Sequence, residues 1–297
     1  MSISYSIKTL KLFLFCVSLA AVLSAQDITG SVQGRVADAT GAVIPAARVE
    51  LLNEATNVVT TRDTEGDGTF IFNFVQPGRY TVKTSAEGFR TATLTGILVE
   101  VNRAVRADMT LALGAVTESI EVTASTSRID TVTAQMSTTA SSKLVTELPS
   151  SSRNVLKFAE LAPGVSITNN MSQVMNIQGS GAEVNGNRSG RNVFYLDGSD
   201  NTASFRNSAL QFPNPEAVQE VNIGTSNTSA EFGKQPGGVF NIITKSGTNE
   251  FHGSGFYFWT DSAFNANSWA RNRSGSARAP AELQQVGGTL GGPVIKD

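Results

Sequence analysis

Three carboxylates at alternate positions, Asp63, Glu65 and Asp67, precede Gly68 in the stretch "DTEGDG". Oxygen ligands at that spacing suit a calcium loop. The twelfth position of such a loop, which must supply a bidentate Glu, is Phe74 here, so a hairpin turn is the better reading. A catalytic reading fails on inventory. The one histidine, His252, sits in a Gly-rich aromatic run with no obvious partner, and the one cysteine is Cys16. No G-x-S-x-G elbow, phosphate-binding P-loop or G-x-G-x-x-G is present, and no Cys/His cluster is available for zinc. The expectation is therefore a protein without catalytic residues, metal ligands or a cofactor.

A different chemistry is available to backbone groups. Residues 117–125, "TESIEVTAS", alternate apolar and polar side chains. Such a segment can offer its N–H and C=O groups to a partner strand. It lies between a turn-punctuated region and a long Ser/Asn/Gly-rich one, and by pattern belongs to neither.

The elements that would position these groups are read next. Lys8 and Lys11 precede the apolar run Leu12–Leu23 and then "SAQ", the layout of a secretory signal peptide. The run is shorter than the roughly 20 residues of a membrane-spanning helix. Cleavage after Ala25 is expected, which removes Cys16 and two lysines and leaves 21 basic against 25 acidic residues. That balance carries no basic face for a nucleic acid.

From Ile28 to about Leu113 the hydrophobic pattern has period two. Val32 and Val36, Val49 and Leu51, Phe70, Phe72 and Phe74, Tyr80 and Val82, and Val105 through Leu113 fall on core faces. Turn residues recur at Asp38–Gly41, Glu65–Gly68, Pro77-Gly78 and Glu87-Gly88. Short alternating strands at this spacing predict a small antiparallel β-sandwich without helices. After Ser125 the pattern becomes mixed α/β. "SSRNVLKFAELAPGV" predicts one short helix capped by Ser151 or Ser152 and stopped at Pro163-Gly164. "PNPEAVQEVNIGT" predicts a helical turn opened by Pro215 and a strand Val221–Gly224. "NVFYLDG" and "GGVFNIITKSG" read as strands. "EFHGSGFYFWT" is an aromatic strand that suits the girdle of an outer-membrane barrel; an ordinary core strand is the other reading. A polar loop, Asn265–Pro280, follows it.

Family patterns agree with this layout. The "GRVAD", "GTFIF", P-G-x-Y and G-F marks between residues 30 and 89 resemble a carboxypeptidase regulatory-like domain. The resemblance implies an Ig-like, carbohydrate-binding-like sandwich and no peptidase activity. "LPSSSRNVLKFAELAPGV", "VNGNRSGRNVFYLDGSDN", "PNPEAVQEVNIGTSNTSAEFGKQPGGVFNIITKSGTNEFHGSGFYF" and "VGGTLGGPVIKD" resemble, in order, the plug domain of TonB-dependent outer-membrane receptors of the Oar-like group. The implied organisation is a signal peptide at 1–25, a sandwich at 26–114, a linker at 115–126, a plug at 127–248 and the start of a barrel at 249–297.

The resemblance also assigns roles. Glu118, Ser119, Ile120, Glu121, Val122, Thr123 and Ala124 match a TonB box, the segment that contacts the periplasmic domain of TonB. Left unpaired between the two domains, it would act as a handle; the other reading is the last strand of the sandwich or the first strand of the plug. Arg153, Arg188 and Arg191 are implied plug–barrel contacts. The location implied is the outer membrane of a Gram-negative bacterium, with sandwich and plug on the periplasmic side and lipid around the barrel. Siderophore, vitamin, oligosaccharide and peptide are all open as substrate. Barrels of this kind have about 22 strands, and a membrane strand takes about 9–11 residues. Only the 49 residues 249–297 follow the plug, so the expectation is a truncated receptor whose pore is mostly encoded elsewhere. The competing expectation is a secreted or periplasmic sandwich protein that recognises carbohydrate or protein.

Overall fold

The computed structural model describes residues 29–114, 119–123, 134–148, 153–167, 182–204, 207–229, 232, 236–280 and 282–294. Within the N-terminal unit, β1 (Gly30–Asp38) is flanked by β4 (Thr69–Val75) on one side. On its other side β1 pairs in parallel with β7 (Ala104–Arg106) and then β8 (Met109–Leu111). The facing sheet has the order β3-β2-β5-β6-β9, built from β2 (Arg48–Asn53), β3 (Val59–Asp63), β5 (Gly78–Ser85), β6 (Thr91–Val99) and β9 (Ser119–Thr123).

Period-two patterning sends Val32, Val36, Val49, Leu51, Phe70, Phe72, Tyr80, Val82, Val99 and Leu111 into one core between the sheets. Full burial of such side chains contributes about 1.5–3 kcal/mol each before entropy is counted. Gly34 lies where a Cβ would come 2.1 Å from the Ala107 carbonyl oxygen, so only glycine lets β1 approach the β7–β8 connection.

Several expectations change. The sandwich is not purely antiparallel, because β7 and β8 run parallel to β1 and β9 runs parallel to β6. Phe74 does not join Phe70 and Phe72: it is 72% exposed at φ 60°, and Val75 takes the next core place. The β1–β4 register slips between Gly30 and Val32, and this bulge reverses the side-chain alternation. Leu113, expected on the core face, is exposed. "DTEGDG" closes no hairpin; it crosses from β3 to β4 in the other sheet. Thr64 pins the crossing, donating from Oγ1 to the Ile44 carbonyl (2.8 Å) and accepting the Ala47 N–H (2.9 Å).

The second unit is built on an antiparallel and parallel sheet of order β10-β17-β18-β13-β14. Its strands are β10 (Met136–Ser141), β13 (Val193–Leu196), β14 (Ser199–Asp200), β17 (Val218–Ser226) and β18 (Val239–Thr244). Small hairpins β11 (Val165–Ile167) with β12 (Ala182–Val184), and β15 (Thr202–Ala203) with β16 (Ser208–Ala209), flank it. Phe194 stacks on Phe240 with ring centroids 5.0 Å apart, and Ile223 and Ile242 complete the centre. The Asp197-Gly198 turn between β13 and β14 has both residues at positive φ, 48° and 76°, the geometry of a type I′ hairpin.

The expected helix around Phe158 is a 3₁₀ segment, Val155–Leu161. Its cap is Asn154, whose side chain accepts the Leu156 N–H; Ser151 and Ser152 lie outside the described residues. Two further short helices were not legible in the pattern, α1 (Ser142–Glu147) and α2 (Trp269–Arg273). The Pro215 turn is found at Pro215–Ala217, and the strand after it is longer than expected. Finally, β19 (His252–Asp261) and β20 (Glu282–Gly291) form a ten-residue antiparallel hairpin.

Candidate functional site

Two features bear on function, and the first is β9. It pairs with β6 without a break, from Thr91 with Ser119 to Thr95 with Thr123. The expectation that residues 118–124 pair with neither neighbour is therefore corrected over Ser119–Thr123, while Glu118 and Ala124 lie outside the described residues. The cause is the open edge of β6. Without β9 its row of N–H and C=O groups would end the sheet unpaired, and strand-forming chain that follows β7 and β8 satisfies it. No described strand pairs with the far edge of β9.

The second feature is Arg153, which precedes the 3₁₀ segment at φ 48°. Its guanidinium forms an ion pair with Glu216 in the Pro215 turn, both side chains being largely buried at 14% and 13% exposure. The same guanidinium lies 3.4 Å from the ring centroid of Phe258 and 5.4 Å from that of Phe256, both on β19. A planar, weakly hydrated cation can be held by a carboxylate and an aromatic face at once. Among the described residues, Arg153 Nε and Glu216 Oε2 have no hydrogen-bond partner. Arg188 and Arg191 behave differently. Both are exposed in the β12–β13 connection, with no carboxylate partner among the described residues.

The β19–β20 hairpin has two unlike faces. Phe256, Phe258, Ser254 and Thr289 share the face toward Arg153, where Ser254 Oγ and Thr289 Oγ1 are 2.8 Å apart. The Phe256 ring lies over Gly287, where a Cβ would come 2.5 Å from it. The opposite face carries Tyr257, Trp259, Val286 and Leu290, the last two 80% and 87% exposed. The inner face is mixed, with Ser254 and Thr289 beside Phe256 and Phe258, while an apolar, exposed outer face suits a membrane β-strand.

Hydrogen bonds join the units at Glu220 and at Asn249. Glu220 of β17 accepts the backbone N–H of Val101 (2.7 Å), in the turn after β6. Asn249, just before β19, donates from its backbone to Ala55 (3.1 Å) and from Nδ2 to Thr56 (2.5 Å). Burial, foremost, with help from the Glu100 charge, pushes the Glu220 carboxyl up to about 7 against the opposing pull of Val101 and Arg103.

The remaining candidates are structural. Asp67 accepts both the N–H and the hydroxyl of Thr69 (3.0 and 2.6 Å). Asp197 accepts the N–H and hydroxyl of Thr244 (2.8 and 2.9 Å), tying the β13–β14 turn to the end of β18. Among the described residues no cluster of His, Cys, Asp or Glu could hold a metal ion. His252 is exposed, with its Nδ1 3.0 Å from the Glu250 carbonyl.

Comparisons with known proteins agree with this geometry. A model of the carboxypeptidase regulatory-like domain matches residues 31–112, and one of an outer membrane beta barrel domain matches residues 243–297. The TonB-dependent transporter Oar of Myxococcus xanthus is 30% identical over 268 residues, covering 86% of this chain and 24% of that protein. Over most of its length this chain is similar to TonB-dependent receptors of the Oar-like group. It spans about a quarter of the length of the curated relative it matches. The fold is mainly β, a sandwich followed by a plug and outer-membrane barrel strands, and the location is the outer membrane.

Among solved structures, the ferric enterobactin receptor of Pseudomonas aeruginosa is similar at 20% identity and TM-score 0.33, over 42% of this chain and 19% of that one. A Bacteroides uniformis protein described as carbohydrate-binding aligns at 16% identity and TM-score 0.25, over 29% of this chain and 41% of that one.

The residues that sequence reasoning missed are Glu216, Phe256 and Phe258 around Arg153, and Glu220 with Val101 at the junction. The one available signal was the acidic residue directly after Pro215, which places a carboxylate in the first turn.

Proposed function

We propose that this chain supplies the periplasmic and plug portion of a receptor that takes up substrate through the outer membrane under the control of TonB. Arg153 carries the reading. It ties the plug, through Glu216 and Phe258, to the inner face of a hairpin whose other face suits lipid. A plug so held closes a barrel until the contact is disturbed.

The path of a pull is set by chain order. Residues 118–124 would receive TonB, and the next described strand is β10, which among the described strands lies at the edge of the plug sheet and pairs only with β17. An edge strand can be drawn away without opening the sheet interior, so tension would reach β17 and then the Pro215 turn that holds Glu216. In this reading sandwich and plug face the periplasm, Arg188 and Arg191 meet parts of the barrel wall beyond this hairpin, and the substrate is recognised mainly outside this chain.

The test uses the complete receptor that carries this chain. Accumulation of a panel of labelled siderophore, cobalamin, oligosaccharide and peptide is measured in cells with and without TonB. Deleting residues 115–126 is expected to abolish TonB-dependent accumulation at unchanged receptor abundance. Equal accumulation in cells lacking TonB would overturn the proposal.

A further inference from the structure

We propose that the N-terminal sandwich is part of the TonB docking surface: it presents β9 as an ordered sheet edge to which an extended strand of the TonB periplasmic domain adds. The inference rests on reading residues 118–124 as the TonB-binding segment, and it concerns the state in which that segment is met.

The backbone carries the argument. Five consecutive residues, Ser119–Thr123, are in continuous register with β6, so one side of β9 is fully engaged by the sandwich. The sheet ends there, and no described strand takes the other side. A strand in that position exposes every second pair of backbone groups as a template for one more strand.

The platform is also held in place. Val101 bonds to Glu220 of the plug, and Ala55 and Thr56 bond to Asn249 at the root of the β19–β20 hairpin. These contacts lie at two separate turns of the sandwich, so the domain cannot pivot about either without breaking the other. The β9 edge therefore keeps a set position relative to the plug. An incoming strand meets a segment whose conformational freedom was already lost on folding, and ordering costs removed in advance appear as affinity.

The alternative is that β9 must leave β6 before TonB binds, which makes the sandwich an inhibitor of docking. A cross-link separates the two. Thr93 and Glu121 are register partners, and neighbouring strands run roughly 4.8 Å apart, within disulfide reach. The full chain is prepared with Thr93→Cys and Glu121→Cys, and with Cys16, its one native cysteine, absent or replaced. Binding of the purified TonB periplasmic domain is titrated with the pair oxidised and reduced. The free peptide 114–126 is titrated in parallel.

Oxidised and reduced chains are expected to bind within about twofold of each other, and both about tenfold or more tighter than the peptide. A tenfold or greater loss on oxidation, or a peptide as tight as the chain, overturns the platform. If neither peptide nor chain binds, the TonB-segment reading itself falls and the platform with it. Hydrogen exchange on the unmodified chain gives an independent check. Some amides of residues 119–123 should be protected before TonB is added, with more protected afterwards. Exchange of all five at free-peptide rates before addition overturns the proposal whatever the cross-linked variant does.

Discussion

The carboxylate of Glu220 accepts the backbone N–H of Val101 at 2.7 Å, across 119 residues of chain and between two separately cored units. Glu220 is nearly buried, and its neighbours across the junction are Glu100 and Arg103, which form an ion pair of their own at 2.5 Å. A buried carboxylate at such a place links the packing of sandwich on plug to proton concentration.

The sign follows from the raised value. The folded chain holds the Glu220 proton up to about 7, whereas the ordinary value is 4.5. Between those pH values the folded state binds more protons than the unfolded one, so stability falls as pH rises through this window. The full effect is on the order of 3 kcal/mol at most. Urea midpoints of the full chain should decline from pH 4.5 to 7.5, and Glu220→Gln should flatten that decline. An unchanged slope in the variant would remove Glu220 as its cause.

Replacing Arg153 by Ala leaves the Glu216 carboxylate buried without its cation. Breaking a buried pair in this way costs about 3–5 kcal/mol. Arg153→Lys keeps the charge but loses the planar group that faces the Phe258 ring, so it should fall between wild type and Ala. Denaturant melts of the three proteins give the order, and a lysine variant as stable as wild type would show that stacking contributes nothing.

Asp197 combines a left-handed backbone at φ 48° with two hydrogen bonds to Thr244. Asp197→Ala loses both acceptors at a conformation that Ala disfavours, with an expected cost of about 1–3 kcal/mol. Asp197→Asn retains one acceptor and tolerates the conformation, so its cost should be smaller. Thermal unfolding of the two variants measures the difference.

The peptide of residues 114–126 should bind the TonB periplasmic domain saturably, and Val122→Pro should weaken it by about tenfold, because proline removes a backbone donor from a ladder. Anisotropy titration of both peptides reads this out. Equal affinities would sink strand addition as the mode of contact.

Much of the fold was legible because alternation at period two survives any choice of partner. Val32, Val36, Val49, Leu51, Tyr80 and Val82 were placed on the core face by pattern, and all are buried. Phe74 was misplaced because a bulge is a property of two paired strands, here β1 and β4, and one strand's sequence does not contain it. The 3₁₀ segment carries the burial expected of a helix, with Val155, Phe158 and Ala159 inside, yet its hydrogen-bond type and its Asn154 cap were not distinguishable from side-chain spacing.

By itself the sequence determined the change of pattern after residue 125, the aromatic strand in "EFHGSGFYFWT" and the strand character of Ser119–Thr123. These depend on residue types and local period, which the chain carries wherever it folds. Only the tertiary structure decided that Ser119–Thr123 lies parallel on β6, that Arg153 is shared by Glu216 and Phe258, and that Glu220 reaches Val101. Each of these joins groups far apart in sequence through open edges, charges or buried polar atoms that need a partner. The identity of that partner is fixed by which surfaces the packed cores bring together.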